Sequence, residues 1–148
     1  MNSTNLKIIT HLRKNSRHSV VNIAKNLEMP VSTVYDKLNR LQKEGIIKKH
    51  STIVDFPKIG YNHQVKFVLK IEHSQIKELL NFLKKHQNVN SIYEINSEFD
   101  FLVETVHRNI KEYLAFQDGL EENFKILKLQ EHQIINEIEK ETFLELNK

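Results

Sequence analysis

The sequence of 148 residues contains no cysteine, which excludes a disulfide framework, a thiolate metal site and a cysteine nucleophile. This absence is typical of a reducing compartment, so we expect a cytoplasmic protein. No stretch reaches the roughly 18 consecutive apolar residues that a membrane helix needs, so no membrane partner is expected. The first residues, MNSTNLKIITHLRK, are too polar for a secretory signal.

The sequence also lacks the short motifs of several common enzyme classes. No HExxH, GxSxG, P-loop or GxGxxG pattern occurs in it. Its eight histidines are scattered, and no two of them lie four residues apart on one helix, as a shared metal site requires. We therefore predict no catalytic residue, no metal site and no cofactor.

Charge is divided unevenly along the chain. Residues 1–50 hold ten Lys and Arg against three Asp and Glu, whereas residues 51–148 hold twelve against sixteen. Hydrophobic residues make up 39% of the chain and charged residues 28%, a composition typical of folded domains. A basic half followed by an acidic half indicates two modules, of which the first binds a polyanion.

The basic half is predicted to contain three short helices. Apolar residues at helical spacing indicate a helix over residues 5–14 and a second over 20–27, with Ser19 as its N-cap. Pro30 opens a third helix, which Gly45 ends as a C-terminal cap. Two helices joined by a short turn, the second of them basic, match a helix-turn-helix.

The third helix combines an apolar stripe with a polar, largely cationic face. Ser32 and Thr33 lie in its first turn, where free backbone N–H groups and the helix dipole favour phosphate. The alternative is a solvated basic face on a small helical domain. The predicted DNA-binding residues of this helix are Ser32, Thr33, Tyr35, Asp36, Lys37, Arg40 and Lys43.

Position along the helix divides these residues by role, because a recognition helix reads base edges mostly with its N-terminal residues. Tyr35, Asp36 and Lys37 are therefore candidates for base contacts. Arg40 and Lys43 lie further along and are candidates for phosphate contacts. Asp36 either pairs with Arg40 one turn later or accepts a hydrogen bond from a cytosine amino group.

Two short β-prone segments flank a polar tip in residues 46–55, a pattern that predicts a hairpin. A hairpin directly after a recognition helix is a wing. Lys48, Lys49 and His50 are then expected to contact backbone phosphates, which adds salt-dependent affinity without sequence information.

The acidic half is predicted to alternate strands with helices. Its order is β-α-β-β-α-β, the ferredoxin-like split arrangement, so the whole chain is of the α+β class. One face of this antiparallel sheet carries Val68, Tyr93 and Leu102 without a covering helix, and a second copy of the sheet is its simplest cover. The predicted elements are a strand over 65–72, a helix capped by Ser74, a strand over 89–95, a strand from Phe99, a helix capped by Asn109 and a strand within 126–138.

The order of the two modules resembles the Lrp/AsnC family, the feast/famine transcription regulators of bacteria and archaea. The resemblance covers nearly the whole chain and implies a winged helix-turn-helix domain over residues 1–56 and a ferredoxin-like effector and oligomerisation domain over 57–148. A linking strand through residues 56–60 is expected between them. The motifs that carry the resemblance are Ile23-Ala24, Ser32-Thr33-Val34, LQKEGIIK over 41–48 and Ile59-Gly60.

The resemblance implies double-stranded DNA as a partner, homodimers that assemble into octamers in many members, and an amino-acid effector. The family binds effectors through the turn between strands two and three, which usually reads Thr-Gly-x-x-Asp. Here Asp100 matches the Asp, whereas Asn96 and Ser97 replace the Thr and the Gly. The candidate effector-binding residues are Asn96, Ser97, Glu98 and Asp100. The alternative for Asp100 is a carboxylate that accepts hydrogen bonds from turn amides.

Two other functions share these sequence features. Sirohaem decarboxylases have the same two-module architecture and use His and Arg near a tetrapyrrole, which draws attention to His107 and Arg108 at the end of the third strand. The other alternative is an interaction protein whose sheet domain drives assembly and whose basic half binds RNA without sequence preference.

Overall fold

The structure of the protein is a computed structural model that describes residues 1–145. The chain forms two compact units. Met1–Ile53 and the segment that begins at Ile138 form the first, called here the N-terminal unit, and Val54–Glu137 form the second, the sheet unit. No helix in the described part of the chain is long and apolar enough to cross a membrane. The boundaries 1–56 and 57–148 remain a prediction.

Three helices make up most of the N-terminal unit: α1 (Ser3–Lys14), α2 (Val20–Asn26) and α3 (Val31–Lys43). They enclose a small core because each places one apolar stripe inward. The predicted helix-turn-helix is therefore confirmed. The buried core residues are Ile8, Ile23, Ala24, Val34 and Leu41.

The residues predicted to form the wing have no strand pairing. Between Gly45 and Phe56 the described chain contains no strand, so the predicted hairpin over 46–55 is wrong. Ile47 packs against the helical core, whereas the residues from Lys48 to Ile53 are exposed. A β-prone stretch forms a hairpin only when its side chains can be buried, and these side chains bury too little apolar surface.

The expected linking strand is also wrong, because Pro57–Ile59 form one turn of 3₁₀ helix. Pro57 occupies the first position of this turn, which its fixed φ favours. Gly60 ends the turn in the left-handed region, with φ 91°, and its N–H donates to the Pro57 carbonyl.

The sheet unit has the predicted β-α-β-β-α-β order, with a four-stranded antiparallel sheet in the spatial order β2-β3-β1-β4. The ferredoxin-like fold is thus confirmed. The crossovers through the two helices leave β1 and β3 adjacent at the centre of the sheet. The elements are β1 (His63–Ile71), α4 (Ile76–Lys85), β2 (Val89–Glu94), β3 (Phe101–His107), α5 (Ile110–Asn123) and β4 (Ile126–Gln133).

Alternation along the two central strands gives the sheet one fully buried face. Phe67 pairs with Val103 and Leu69 pairs with Phe101, so their side chains lie on the same face of the sheet. These residues form one core with the inner faces of α4 and α5. The opposite face carries the residues between them, which no helix of this unit covers.

Two element starts differ from the sequence expectations. Ser74 does not cap α4, because residues 73–75 form a 3₁₀ turn and Gln75 takes the N-cap position. The last strand lies within the predicted range 126–138 and ends at Gln133, and Ile135 is 94% exposed. The third strand begins at Phe101, after the turn that contains Asp100.

Candidate nucleic-acid interface

The turn between α2 and α3 fixes the direction in which α3 leaves the N-terminal unit. Ser19 caps α2 by accepting a hydrogen bond from the Asn22 N–H at 3.1 Å, as predicted. At the other end of α2, the Met29 N–H donates to the Ala24 carbonyl at 2.9 Å. Glu28 closes this turn with a φ of 52°, a left-handed conformation that residues with a Cβ adopt at a cost.

Burial of its apolar stripe determines which face α3 presents to solvent. Val34 and Leu41 are fully buried against α1 and α2. Gly45 ends the helix with a φ of 72°, and the Gly45 and Ile46 N–H groups donate to the Gln42 and Leu41 carbonyls. This Schellman arrangement confirms the predicted glycine cap.

The first turn of α3 presents backbone donors to solvent. Pro30 occupies the N-cap position and provides no side-chain hydrogen bond to the helix. The N–H groups of Thr33 and Val34 donate to the Pro30 carbonyl. The N–H groups of Val31 and Ser32, at the start of the turn, lie outside the hydrogen bonds of the helix itself. A helix N-terminus with such donors favours an anion, and Ser32 is exposed beside it.

Four of the predicted residues lie on one exposed face of α3. Two others flank this face: Tyr35, which is 55% exposed, on one side, and Lys37, which is half-buried beside the apolar stripe, on the other. Thr33 is also half-buried. The residues that share the face are Ser32, Asp36, Arg40 and Lys43, which are all exposed.

Arg40 is already engaged in an ion pair. Its Nε donates to the Glu44 carboxylate at 2.7 Å, one turn further along the helix, so the predicted pairing of Asp36 with Arg40 is not formed. This hydrogen bond, together with the charge of Glu44, raises the pKa of the Arg40 guanidinium. Because the guanidinium carries five donors, its Nη groups can still donate to another acceptor.

Asn39 belongs to this face although it was not among the predicted residues. It follows Asp36 by three positions, precedes Lys43 by four, and is exposed. An asparagine amide can make a bidentate contact with adenine in the major groove. Its helical spacing from Asp36 and Lys43 is the sequence signal that identifies Asn39 as part of this face.

The basic residues after α3 lie in a segment without helix or strand. Lys48 and Lys49 are exposed there, as the prediction of phosphate contacts requires. The side-chain nitrogens of Gln42 and His50 are 3.2 Å apart, which connects this segment to the last turn of α3. The segment therefore starts beside the C-terminal end of the exposed α3 face even though it contains no strand.

The candidate effector turn is held by its own hydrogen bonds. The Asp100 carboxylate accepts a hydrogen bond from the Ile71 N–H at 3.0 Å, and the Asp100 N–H donates to the Leu69 carbonyl at 2.8 Å. Ser97 Oγ accepts from the Phe99 N–H, and Glu98 forms an ion pair with a lysine of β4. Asp100 thus anchors the start of β3 to the end of β1.

His107 lies in the core between the sheet and α5. Its side chain is 0% exposed, and its ring centroid is 5.2 Å from that of Tyr113 and 5.6 Å from that of Phe116. Neither ring nitrogen has a hydrogen-bond partner among the described residues. Burial lowers the pKa of His107 to about 4, so the ring is neutral at pH 7. Arg108 instead stacks on the Tyr61 ring at 5.8 Å.

Comparison with known proteins agrees with the two-module architecture. Residues 1–48 match the family model described as winged helix-turn-helix DNA-binding. The chain is 29% identical over 137 residues to an uncharacterised HTH-type transcriptional regulator of Pyrococcus horikoshii, a match that covers 93% of this chain and 92% of the relative. Fold and surface therefore define the class: a helix-turn-helix DNA-binding module joined to a ferredoxin-like domain.

Solved structures specify the fold further. A transcriptional regulator of Neisseria meningitidis, solved in complex with L-Met, matches with a TM-score of 0.85 at 18% identity, over 95% of this chain and 93% of that one. An AsnC family transcriptional regulator of Agrobacterium tumefaciens matches with a TM-score of 0.83 at 17% identity, over 95% and 94%. The chain has the Lrp/AsnC fold, and the resemblance seen in its motifs is confirmed.

Proposed function

We propose that this protein is a sequence-specific DNA-binding transcription regulator of the Lrp/AsnC type. The observation that carries the proposal is the exposed polar and cationic face of α3, which follows a first turn without a side-chain cap in a basic unit. The similarity over nearly the whole chain to a protein named as a transcriptional regulator supports the same class. The partner is double-stranded DNA, because α3 fits the major groove and its donors match phosphates and base edges.

The proposed DNA-binding residues divide into readout and anchoring residues. Tyr35, Asp36 and Lys37 lie near the N-terminal end of α3 and read base edges. Asn39 extends this set by one residue. Ser32 and Thr33 hold a phosphate at the helix N-terminus, and the remaining cations neutralise the DNA backbone. These anchoring cations are Arg40, Lys43, Lys48 and Lys49.

The division of roles is tested by two lysine variants. Lys49→Ala should weaken binding to all DNA sequences alike and reduce the slope of log affinity against log salt concentration by about 1. Lys37→Ala should instead change the order of preference among sequences. Fluorescence anisotropy on an operator and on unrelated DNA measures both effects, with Lys77→Ala on α4 as a control of equal charge change. Equal proportional losses for both variants on both DNAs would contradict the division.

We infer that the protein acts as a dimer whose two α3 helices read a pseudo-palindrome. The support is the sheet face without a helix, where Val68 and Leu102 are half-buried and Tyr93 is 56% exposed. On the same face the nearly buried carboxylate of Glu104 accepts hydrogen bonds from Gln64 and Asn90. Self-complementary covering of this face gives a two-fold axis and two half-sites about one helical turn apart. We further propose that these dimers assemble into octamers and that the protein acts in the cytoplasm.

Effector binding at the turn over residues 96–100 belongs to the proposal as well. Asn96, Ser97 and Glu98 are exposed there, and their polar groups suit the ammonium and carboxylate of an amino acid, which would compete with the Phe99 N–H for Ser97 and with a lysine of β4 for Glu98. Melting temperatures with and without each amino acid at millimolar concentration test it, because a ligand that binds only the folded state raises the melting temperature. Equal melting temperatures for all amino acids would remove this part of the proposal.

We also propose that the protein is not a tetrapyrrole enzyme. The enzyme alternative needs His107 at a surface where a large planar ligand can reach it, but this ring is fully buried against Tyr113 and Phe116. Purified protein is accordingly expected to be colourless and to give no shift of a tetrapyrrole absorption band. A band shift that His107→Ala abolishes would favour the enzyme instead.

A further inference from the structure

The chain enters the N-terminal unit a second time after it has completed the sheet unit. Beyond β4, residues 134–137 continue within the sheet unit, and the segment from Ile138 then groups with the three helices of the N-terminal unit. Its described part, residues 138–145, is called the strap here. The helix-turn-helix family model ends at residue 48 and does not include the strap.

One arginine of α1 holds the strap by three hydrogen bonds. Arg13 Nε donates to the Phe143 carbonyl at 2.9 Å, and one Nη donates to the Glu141 carbonyl at the same distance. The other Nη donates to the Glu141 carboxylate at 3.0 Å, which is also an ion pair. The planar guanidinium thus uses three of its five donors on the strap, and two of them bind backbone, so the contact depends on the path of the strap as well as on its sequence.

The strap has a backbone shape that needs external support. Glu141 and Leu144 adopt φ angles of 58° and 65°, in the left-handed region that residues with a Cβ rarely adopt. Such conformations persist only where surrounding contacts compensate for them. The carbonyls that Arg13 binds belong to Glu141 and Phe143, within the stretch that these two residues shape.

Charge also matches the strap to its binding surface. Residues 1–50 carry ten Lys and Arg against three Asp and Glu, whereas residues 138–145 carry three Glu against one Lys. An acidic segment beside a basic unit is attracted over a distance of about one Debye length, roughly 8 to 10 Å at physiological salt. Because the strap and α1 belong to the same chain, the local concentration of the strap near α1 exceeds that of a separate molecule.

We propose that the strap is an integral part of the DNA-binding unit, which docks on α1 through Arg13 and stabilises the helix-turn-helix. The N-terminal unit needs such support because the described residues give it a core of five buried apolar residues, one of which, Ile8, is contributed by α1. Holding α1 keeps Ile8 in the core that it shares with Val34 of α3. The strap therefore acts on the recognition helix through the core, and a variant without it binds DNA with a less ordered α3.

Hydrogen exchange of the full chain tests the proposal, with the sheet unit as an internal reference. In Arg13→Gln, and in a chain that ends at Glu137, amides of α1 to α3 should exchange about tenfold faster, whereas amides of β1 and β3 keep their rates. Lys14→Gln removes the same charge from the next residue of α1 and should leave all rates unchanged. Arg13→Gln in the shortened chain should not increase the exchange rates further, because both changes remove the same contact.

Two outcomes would overturn the proposal. If Arg13→Gln exchanges no faster than Lys14→Gln, or if the two changes add in the shortened chain, Arg13 does not dock the strap. A mixture of full-length Arg13→Gln with the shortened chain tests whether docking occurs within one chain. If the strap docks within its own chain, amides of α1 to α3 should exchange as fast in the mixture as in each variant alone. Slower exchange in the mixture would show that the strap of one copy docks on another.

Discussion

At the scale of single residues, the two left-handed positions that bracket α3 are filled differently. Gly45 follows the helix with a φ of 72°, where the absence of a Cβ removes the steric cost. Glu28 precedes it with a φ of 52° and keeps its Cβ. The helix-turn-helix thus contains a strained residue in the turn that sets the direction of α3. A substitution that relieves this strain should stabilise the N-terminal unit.

Glu28→Gly should stabilise the N-terminal unit by about 0.5 to 1 kcal/mol, because glycine adopts this φ without the cost that a Cβ imposes. Chemical denaturation followed by circular dichroism measures the change in the free energy of unfolding. Glu28→Ala is the matched control, since it removes the same charge but keeps the Cβ. A gain that is equal in both variants would assign the effect to charge rather than to backbone strain.

His107 should make the stability of the sheet unit depend on pH. Its pKa is about 4 in the folded protein and near 6.5 when unfolded, so below pH 6.5 the unfolded chain binds the proton first. Stability should therefore be unaffected above pH 6.5 and fall as the pH decreases towards 4, by up to about 3 kcal/mol from this residue. Free energies of unfolding measured at pH 7, 5.5 and 4.5 follow the loss.

His107→Leu should reduce this pH dependence, because leucine fills a similar volume against Tyr113 and Phe116 and does not titrate. His73→Leu, at an exposed position before α4, is the control and should keep the wild-type profile. Parallel stability profiles for wild type and His107→Leu between pH 7 and 4.5 would show that another group is responsible.

At the scale of elements, α3 combines its DNA-facing cations with an intrahelical acid. The Arg40–Glu44 pair at 2.7 Å neutralises part of the face that is proposed to meet phosphate. Glu44→Gln should release Arg40 and raise the affinity for all DNA sequences several-fold at low salt, because a phosphate contact no longer competes with the carboxylate. Anisotropy titrations at two salt concentrations measure the change.

Glu28→Gln removes one negative charge from the same unit without touching Arg40 and is the control for net charge. The affinity for DNA should increase more in Glu44→Gln than in Glu28→Gln. Equal gains would mean that only the net charge of the unit matters and that the pair does not restrain Arg40.

Elements with local signals were predictable from the sequence, and elements that depend on distant contacts were not. The amphipathic helices, with caps at Ser19 and Asn109, are confirmed because periodicity and capping act within a few residues. The wing hairpin failed because β-propensity alone does not provide a buried partner. The strap escaped prediction because Arg13 and Phe143 lie 130 residues apart in sequence. Within the site, the exposed face of α3 could be predicted from the sequence. The pairing of Arg40 with Glu44 could not, because it depends on the positions of the side chains.

At the scale of the whole molecule, dimerisation through the face of the sheet without helices has a direct test. Leu102→Arg places a charge where the partner sheet would pack, and it should convert dimers to monomers at micromolar concentration. Sedimentation velocity measures the mass. Leu114→Arg, at an exposed position on the opposite layer, is the control and should remain dimeric. A dimer that survives Leu102→Arg would place the interface elsewhere.

The proposed function requires that two copies of α3 read a specific DNA sequence. Repeated selection of random DNA fragments by the purified full chain, followed by sequencing, tests it most directly. We expect enrichment of a pseudo-palindrome with half-sites about one helical turn apart, and loss of that enrichment in Lys37→Ala. Binding without enrichment of any sequence, at low and at physiological salt, would contradict sequence-specific regulation.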